Sequence, residues 1–196
     1  MRELIKMVVV LTVLTAASGG LLAGVRDATK EKIELQVLNF VQGPVLKQMF
    51  TKASNDMIAD RFTLQDGKEA IVLFPVAVDG KVRYVAFNSS GKGGFGGDVG
   101  LMVGVDIESG KIISAGVTTH SETPGIGSRA KTEPDLVGRF VGLAANQEFK
   151  VKGDGGQIDA ISGATVTSRG VCNAATSAGQ RYGRLETEIK NKTGNL

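Results

Sequence analysis

The sequence predicts an α+β domain, an antiparallel sheet packed by helices, preceded by one N-terminal transmembrane helix. Three observations carry this expectation: an uncharged stretch over residues 7–25, two pairs of apolar, β-branched runs each joined by turn residues, and a long run of small and apolar residues at helical spacing near the C-terminus.

Residues 7–25 read MVVVLTVLTAASGGLLAGV, nineteen positions without a formal charge. At about 1.5 Å rise per residue this run matches a hydrocarbon core of roughly 30 Å. The competing reading is a cleaved signal peptide, because Thr15, Ala16, Ala17 and Ser18 are small enough for a cleavage site. The apolar run goes on through Leu21, Leu22, Ala23 and Val25, which favours a retained anchor. Val25 also stands where a lipid-bearing cysteine would be needed after Leu22-Ala23-Gly24. Arg2 and Lys6 precede the run and Arg26, Lys30 and Lys32 follow it, so flanking charge leaves its orientation open. A chain of 196 residues suffices for one ordinary core. The expected organisation is therefore an anchor over 1–26 and one domain with a juxtamembrane helix over 27–196.

In that juxtamembrane helix Ile33, Val37, Phe40 and Val41 share a face, and Gly43-Pro44 is expected to break it. Residues 70–78 and 81–88 read as strands joined by Asp79-Gly80, a strong hairpin signal. Residues 99–107 and 111–119 repeat the arrangement around Glu108-Ser109-Gly110. A short helix is expected over 134–143 with Thr132 as N-cap and Pro134 in its first turn. Strands over 148–152 and 157–161 are expected to follow it. The last helix should begin near Thr165, with Val171, Ala174, Ala175, Ala178, Tyr182, Leu185 and Ile189 along one face.

Composition narrows the chemistry. The single Cys172 excludes an intrachain disulfide and any cysteine-held iron–sulfur or zinc centre, and the single His120 excludes a multi-histidine metal or haem site. Redox chemistry here needs an organic cofactor. The net charge is only +3, Trp is absent, and no basic run is interleaved with aromatics, which argues against nucleic-acid binding. No catalytic side chain and no metal ligand set is expected.

Residues 159–168 read DAISGATVTS. A strand end, a glycine, a small residue and several hydroxyls opening a helix make a good cradle for a phosphate. An ordinary Ser/Thr helix cap fits the same residues. The segment resembles the flavinylation motif of the FMN-binding domain family, Asp-x-x-Ser/Thr-Gly-Ala-Thr-x-Ser/Thr, with Asp159, Ser162, Gly163, Ala164, Thr165 and Thr167 at its fixed positions. The resemblance implies covalent FMN, joined through its phosphate to the Thr165 hydroxyl by an FAD:protein FMN transferase. It implies further that Asp159, Ser162 and Gly163 are that enzyme's recognition element, with Thr167 or Ser168 as local caps.

Residues 120–127, HSETPGIG, are similar to the His-x-Glu-Thr-Pro-Gly-Leu-Gly loop of the redox-pump members of that family, with Ile126 in place of leucine. This implies that His120, Glu122, Thr123, Gly125, Ile126 and Gly127 lie beside the isoalloxazine. From the residues alone the segment also fits a solvent loop, His120 a structural hydrogen bonder, and Cys172 a small buried apolar residue. The glycine-rich 91–97 is either a flexible hairpin loop or a flavin contact, and lacks the Gly-Lys-Ser/Thr ending of a phosphate loop.

The order of anchor, HSETPGIG, DAISGATVTS and final helix resembles the G-subunit family of the Rnf complexes. The C-subunit family of the sodium-pumping NADH:quinone reductases is the next most similar and has a longer chain. The resemblance implies an electron relay in an ion-translocating ferredoxin:NAD oxidoreductase rather than a stand-alone enzyme. It also implies a single-pass protein of the inner membrane with its flavin domain on the outer side, in contact with other membrane and peripheral subunits. A membrane-tethered sensor or scaffold with FMN as a mere ligand is the alternative from another class.

Overall fold

Asp79 and Gly80 both adopt positive φ, 53° and 75°, which is the tight turn that matches the right-handed twist of an antiparallel pair. The flanking apolar runs pair across it as β2 (Glu69–Val78) and β3 (Lys81–Gly91). The structure is a computed structural model and describes residues 1–133 and 135–194. Its sheet is an antiparallel meander in the order β1 (Phe62–Asp66), β2, β3, β4 (Val99–Asp106), β5 (Ile112–Val117). The β4–β5 connection is braced by Asp106, whose Oδ1 accepts the amides of Glu108 at 3.0 Å and Ser109 at 2.7 Å.

Alternation along the strands divides the domain into layers. One face carries Leu73, Val85, Phe87, Leu101, Val103 and Val105, all buried. The long helix α5 (Thr165–Thr193) covers it with Val171, Ala174, Ala175, Ala178, Tyr182, Leu185 and Ile189, every one buried as the helical spacing predicts. The helix comes so close that a Cβ on Gly91 would lie 2.1 Å from the Gly170 carbonyl and 2.2 Å from the Ala174 nitrogen. Beside it Phe140 and Phe149 meet edge to face at 5.1 Å. The opposite face is covered by α2 (Gly43–Met49) and Phe50, whose ring rests on Gly104 and stacks with Tyr84 at 6.4 Å.

Several elements depart from the sequence expectation. The added edge strand β1 pairs with β2 only as far as Phe62↔Leu73. Pro75 lies just beyond, where no ladder donor is needed. There Asn55 takes over, donating to the Pro75 carbonyl at 3.0 Å and accepting the Ala77 amide at 2.9 Å. The helix expected over 134–143 is a single turn, α4 (Asp135–Gly138), and another single turn, α3 (Arg129–Thr132), stands ahead of it. Thr132 ends α3 and donates its hydroxyl back to Ser128, so it is not an N-cap; Pro134 lies outside the described residues. The strands expected over 148–152 and 157–161 reduce to one parallel bridge, Val151↔Ile158, because the chain between turns through a 3₁₀ helix, Lys152–Asp154. Gly43-Pro44 changes the winding without ending the helix. A π-helical segment, Leu38–Gln42, precedes it, and Pro44 falls in the first turn of α2, where a missing N–H costs little.

The chain divides by contacts into Met1–Phe40 and Val41–Leu196. In the first unit α1 (Arg2–Val37) is helical throughout and buries none of its side chains. The helical stretch Arg2–Met49 is, among the described residues, the one long and apolar enough to cross a membrane.

Candidate functional site

Three segments converge where β3 and β5 end and α5 begins: the glycine-rich loop after Gly91, the 120–127 loop, and the first turn of α5. Between them lies an open cleft of about 410 Å³. Its walls are apolar and exposed, with Phe95, Ile126 and Val166 from three different segments. Thr165, exposed, is the first residue of α5 and lines the same cleft.

The approach to Thr165 is set by Gly163, whose φ of 79° turns the chain into the helix. Nothing lies within 4 Å of the place a Cβ would take there. A left-handed residue is what the turn needs, and glycine supplies it without strain. The N-cap, Ala164, has no side-chain hydrogen bond to offer the helix. The first amides of α5 are therefore left to water or a ligand, at the end where the helix dipole favours an anion. Thr167 and Ser168 do not cap the helix, contrary to expectation. The Thr167 hydroxyl donates to Glu122 Oε2, and the Ser168 hydroxyl accepts the Ile161 amide at 3.0 Å while donating to the Ala164 carbonyl at 3.0 Å.

The candidate residues fall into two groups. Glu122, Thr123, Ile126, Gly163, Ala164, Thr165 and Thr167 all line the cleft. Glu122 and Thr167 are buried at its base, and Gly127 packs beneath them, where a Cβ would sit 2.6 Å from both Glu122 Oε2 and the Thr167 hydroxyl oxygen. The others stand back. His120 Nδ1 accepts the Glu122 amide at 3.2 Å, which holds the loop. The Gly125 amide donates to Ser128 Oγ at 2.8 Å. The exposed Ser162 gives its carbonyl to Arg129 at 3.2 Å. Asp159 gives its carbonyl to Arg139 and pairs its carboxylate with Lys152 at 2.8 Å. That Lys152 hydrogen bond, with the Lys152 and Arg139 charges, holds the Asp159 carboxyl below the usual carboxylate range. Cys172 is buried, and burial with the nearby Asp154 charge pushes its thiol up to about 12, so it is no nucleophile.

Two lining residues were not singled out in the sequence, although one of them lies in the glycine-rich stretch read there as either a flexible loop or a flavin contact. Val166 sits at the x position of the motif, and Phe95 is the single aromatic in the glycine-rich loop. A large apolar side chain flanked by glycines is the signal that marks Phe95. The loop is also less free than its composition suggests, because the Gly96 amide donates to Glu122 Oε1 at 3.0 Å and Asn173 donates to the Lys92 carbonyl at 2.8 Å.

The residues present fit a flavin mononucleotide. The apolar cleft could take the ring and the helix N-terminus the phosphate, with the exposed Thr165 lining the same cleft.

Residues 94–180 match the model of the FMN-binding domain, a span that holds the second part of the glycine-rich loop with Phe95, both motifs and the first half of α5. The chain is 30% identical over 178 residues to the G subunit of the ion-translocating oxidoreductase complex of Methanosarcina acetivorans, covering 90% of this chain and 93% of that one. It is 31% identical over 156 residues to the protein of the same name from Stutzerimonas stutzeri, covering 76% of this chain and 68% of that one. Among solved structures NqrC of Shewanella oneidensis superposes with a TM-score of 0.52 at 25% identity, over 72% of this chain and 73% of that one. With near-complete coverage of the Methanosarcina relative and an FMN-binding domain over the cleft, the chain belongs to the G-subunit family of the ion-translocating oxidoreductase complexes.

Proposed function

We propose that this chain is a single-pass, membrane-anchored electron-transfer subunit of an Rnf-type ion-translocating ferredoxin:NAD oxidoreductase, carrying FMN as a phosphoester on Thr165. The observation that carries the reading is the exposed Thr165 hydroxyl on the first turn of an uncapped helix, at the edge of an apolar cleft. Bound there, FMN would supply one- and two-electron redox chemistry. The chain's own part is positional. The first-turn amides of α5 would hold the phosphate, and Phe95, Ile126 and Val166 would offer apolar surface to the planar ring. Glu122 and Thr167 close the base of the cleft with a hydrogen bond of their own. An ester bond at the mouth of an open cleft prevents loss of the group while leaving it within reach of partner cofactors.

The organisation follows the same reading. Residues 1–26 form the anchor, supported by α1, which buries none of its side chains and is long and apolar enough over its first part to span a membrane; the remainder forms the flavin domain with its juxtamembrane helix, which this reading puts on the outer side of the inner membrane. Partners are the other membrane and peripheral subunits of the pump and the FAD:protein FMN transferase. For that enzyme, Asp159, Ser162 and Gly163 present an exposed turn whose carbonyls are already held by Arg139 and Arg129. The likeness to NqrC favours a C-type member of a quinone reductase as second reading, but it spans 73% of that chain against 93% of the Methanosarcina relative.

The test is mass spectrometry on chain produced with the transferase. The intact mass should exceed the polypeptide's by FMN minus water, on the peptide holding Thr165. Thr165→Val should remove the increment and leave a folded chain; an increment that persists in this variant refutes the attachment site.

A further inference from the structure

We infer that Phe95 is the aromatic wall against which the cofactor ring packs, and that the buried carboxylate of Glu122 positions it. The inference rests on the assignment of FMN to this cleft and deepens it. In the domain the large side chains Phe74, Phe87, Phe140 and Phe149 are buried, whereas Phe95 is 73% exposed. It lines the same cleft as Thr165, in a loop of glycines that supplies no other apolar side chain. An aromatic ring held beside a planar ligand offers offset or edge contact that an aliphatic side chain does not.

Such a wall needs a tether, because glycine-rich backbone has no stiffness of its own. Glu122 provides one. Its side chain accepts the Gly96 amide on Oε1 and the Thr167 hydroxyl on Oε2, joining the loop that bears Phe95 to the third residue of α5. Only 6% of Glu122 is exposed. Its charge is compensated by two donors from separate segments and by the positive end of α5. The surroundings are cut to the carboxylate: a Cβ on Gly94 would lie 2.6 Å from Oε1, and one on Gly127 2.6 Å from Oε2. Glu122 thus sets the distance between the wall and the attachment residue without touching the attachment hydroxyl.

Two measurements on the full chain decide this. The first uses the flavin-free Thr165→Val chain and reads the tether alone. Adding Glu122→Ala should speed backbone hydrogen exchange at residues 94–97 by about tenfold, the weight of one hydrogen bond to a charged group. Glu122→Gln, which keeps an acceptor for Gly96 and the shape of the side chain, should give a smaller increase and serves if the alanine variant does not fold. Exchange unchanged in the variants that fold overturns the positioning role. The second uses flavin-carrying chain and iodide quenching of its fluorescence. Phe95→Ala should raise the quenching constant several-fold while the intact mass still shows the ester, and Phe95→Tyr should behave as the unsubstituted chain. An unchanged constant in Phe95→Ala overturns the wall. If the unsubstituted chain carries no ester, the FMN assignment and the wall fall together, and the exchange result still decides the tether.

Discussion

The two ends of α5 meet the sheet in opposite ways. At its far end Arg184 grips Asp66 through two bonds of 2.7 and 2.5 Å, and Arg181 reaches Glu69 at 2.5 Å, so charges lie outside and Tyr182, Leu185 and Ile189 lie inside. At its N-terminal end the arrangement is inverted. A carboxylate and a hydroxyl are buried against each other, while Phe95, Ile126 and Val166 are left in the open. The far end is built to hold the edge strand β1 to the helix. An end that buries its polar groups and exposes its apolar ones departs from the usual partition, and the inversion has the character of a site for a partly apolar, anionic ligand.

Substitutions at each end sharpen that contrast. The largest effect is expected from Gly91→Ala, because the new methyl would meet helix backbone at 2.1 and 2.2 Å and backbone cannot step aside. Denaturant unfolding should show a loss of about 3 kcal/mol or more, and the ion pairs at the far end should not rescue it. Next comes Thr167→Val, which keeps the shape but leaves the buried Glu122 carboxylate short of a donor. It should cost about 2 kcal/mol, while Thr167→Ser, which keeps the hydroxyl, should cost little. The smallest effect is expected from Asp66→Asn at the far end, a slight lowering of the melting temperature. The hydrogen bond from Arg184, then the Arg184 and Arg181 charges, holds the folded-state pKa of Asp66 below its ordinary value. Its contribution is therefore present above the unfolded carboxylate pKa of roughly 3.9 and fades as pH falls through the lowered value. Melting curves of Asp66→Asn and the unsubstituted chain should converge in acid. If Asp66→Asn were to cost more than Thr167→Val, the contrast between the two ends would be reversed.

Much of this architecture was legible in the residues because local chemistry decides it. Asp79-Gly80 allows one kind of turn, and the seven positions from Val171 to Ile189 leave α5 one face to bury. What escaped is decided at a distance. β1 is a strand because β2 has an edge to offer up to Leu73, and 157–161 is not one because a 3₁₀ turn precedes it. The site divides the same way. Thr165 at the head of a helix follows from the motif. That Thr167 bonds Glu122 instead of capping its own helix depends on a partner forty-five residues away, and no local pattern foretells it. Phe95 belongs to the cleft only because Gly91 and Gly170 let its loop descend onto the helix.

Gly163 carries a stereochemical consequence. Its φ of 79° is forbidding to ordinary side chains, yet the space around it is empty. Handedness alone, and not volume, bars alanine from that position. A mirror-image D-alanine, installed by segment ligation, would fit the turn and, by narrowing the choices of the unfolded chain, would stiffen the approach to Thr165. The L-enantiomer, identical in every bond, would strain it.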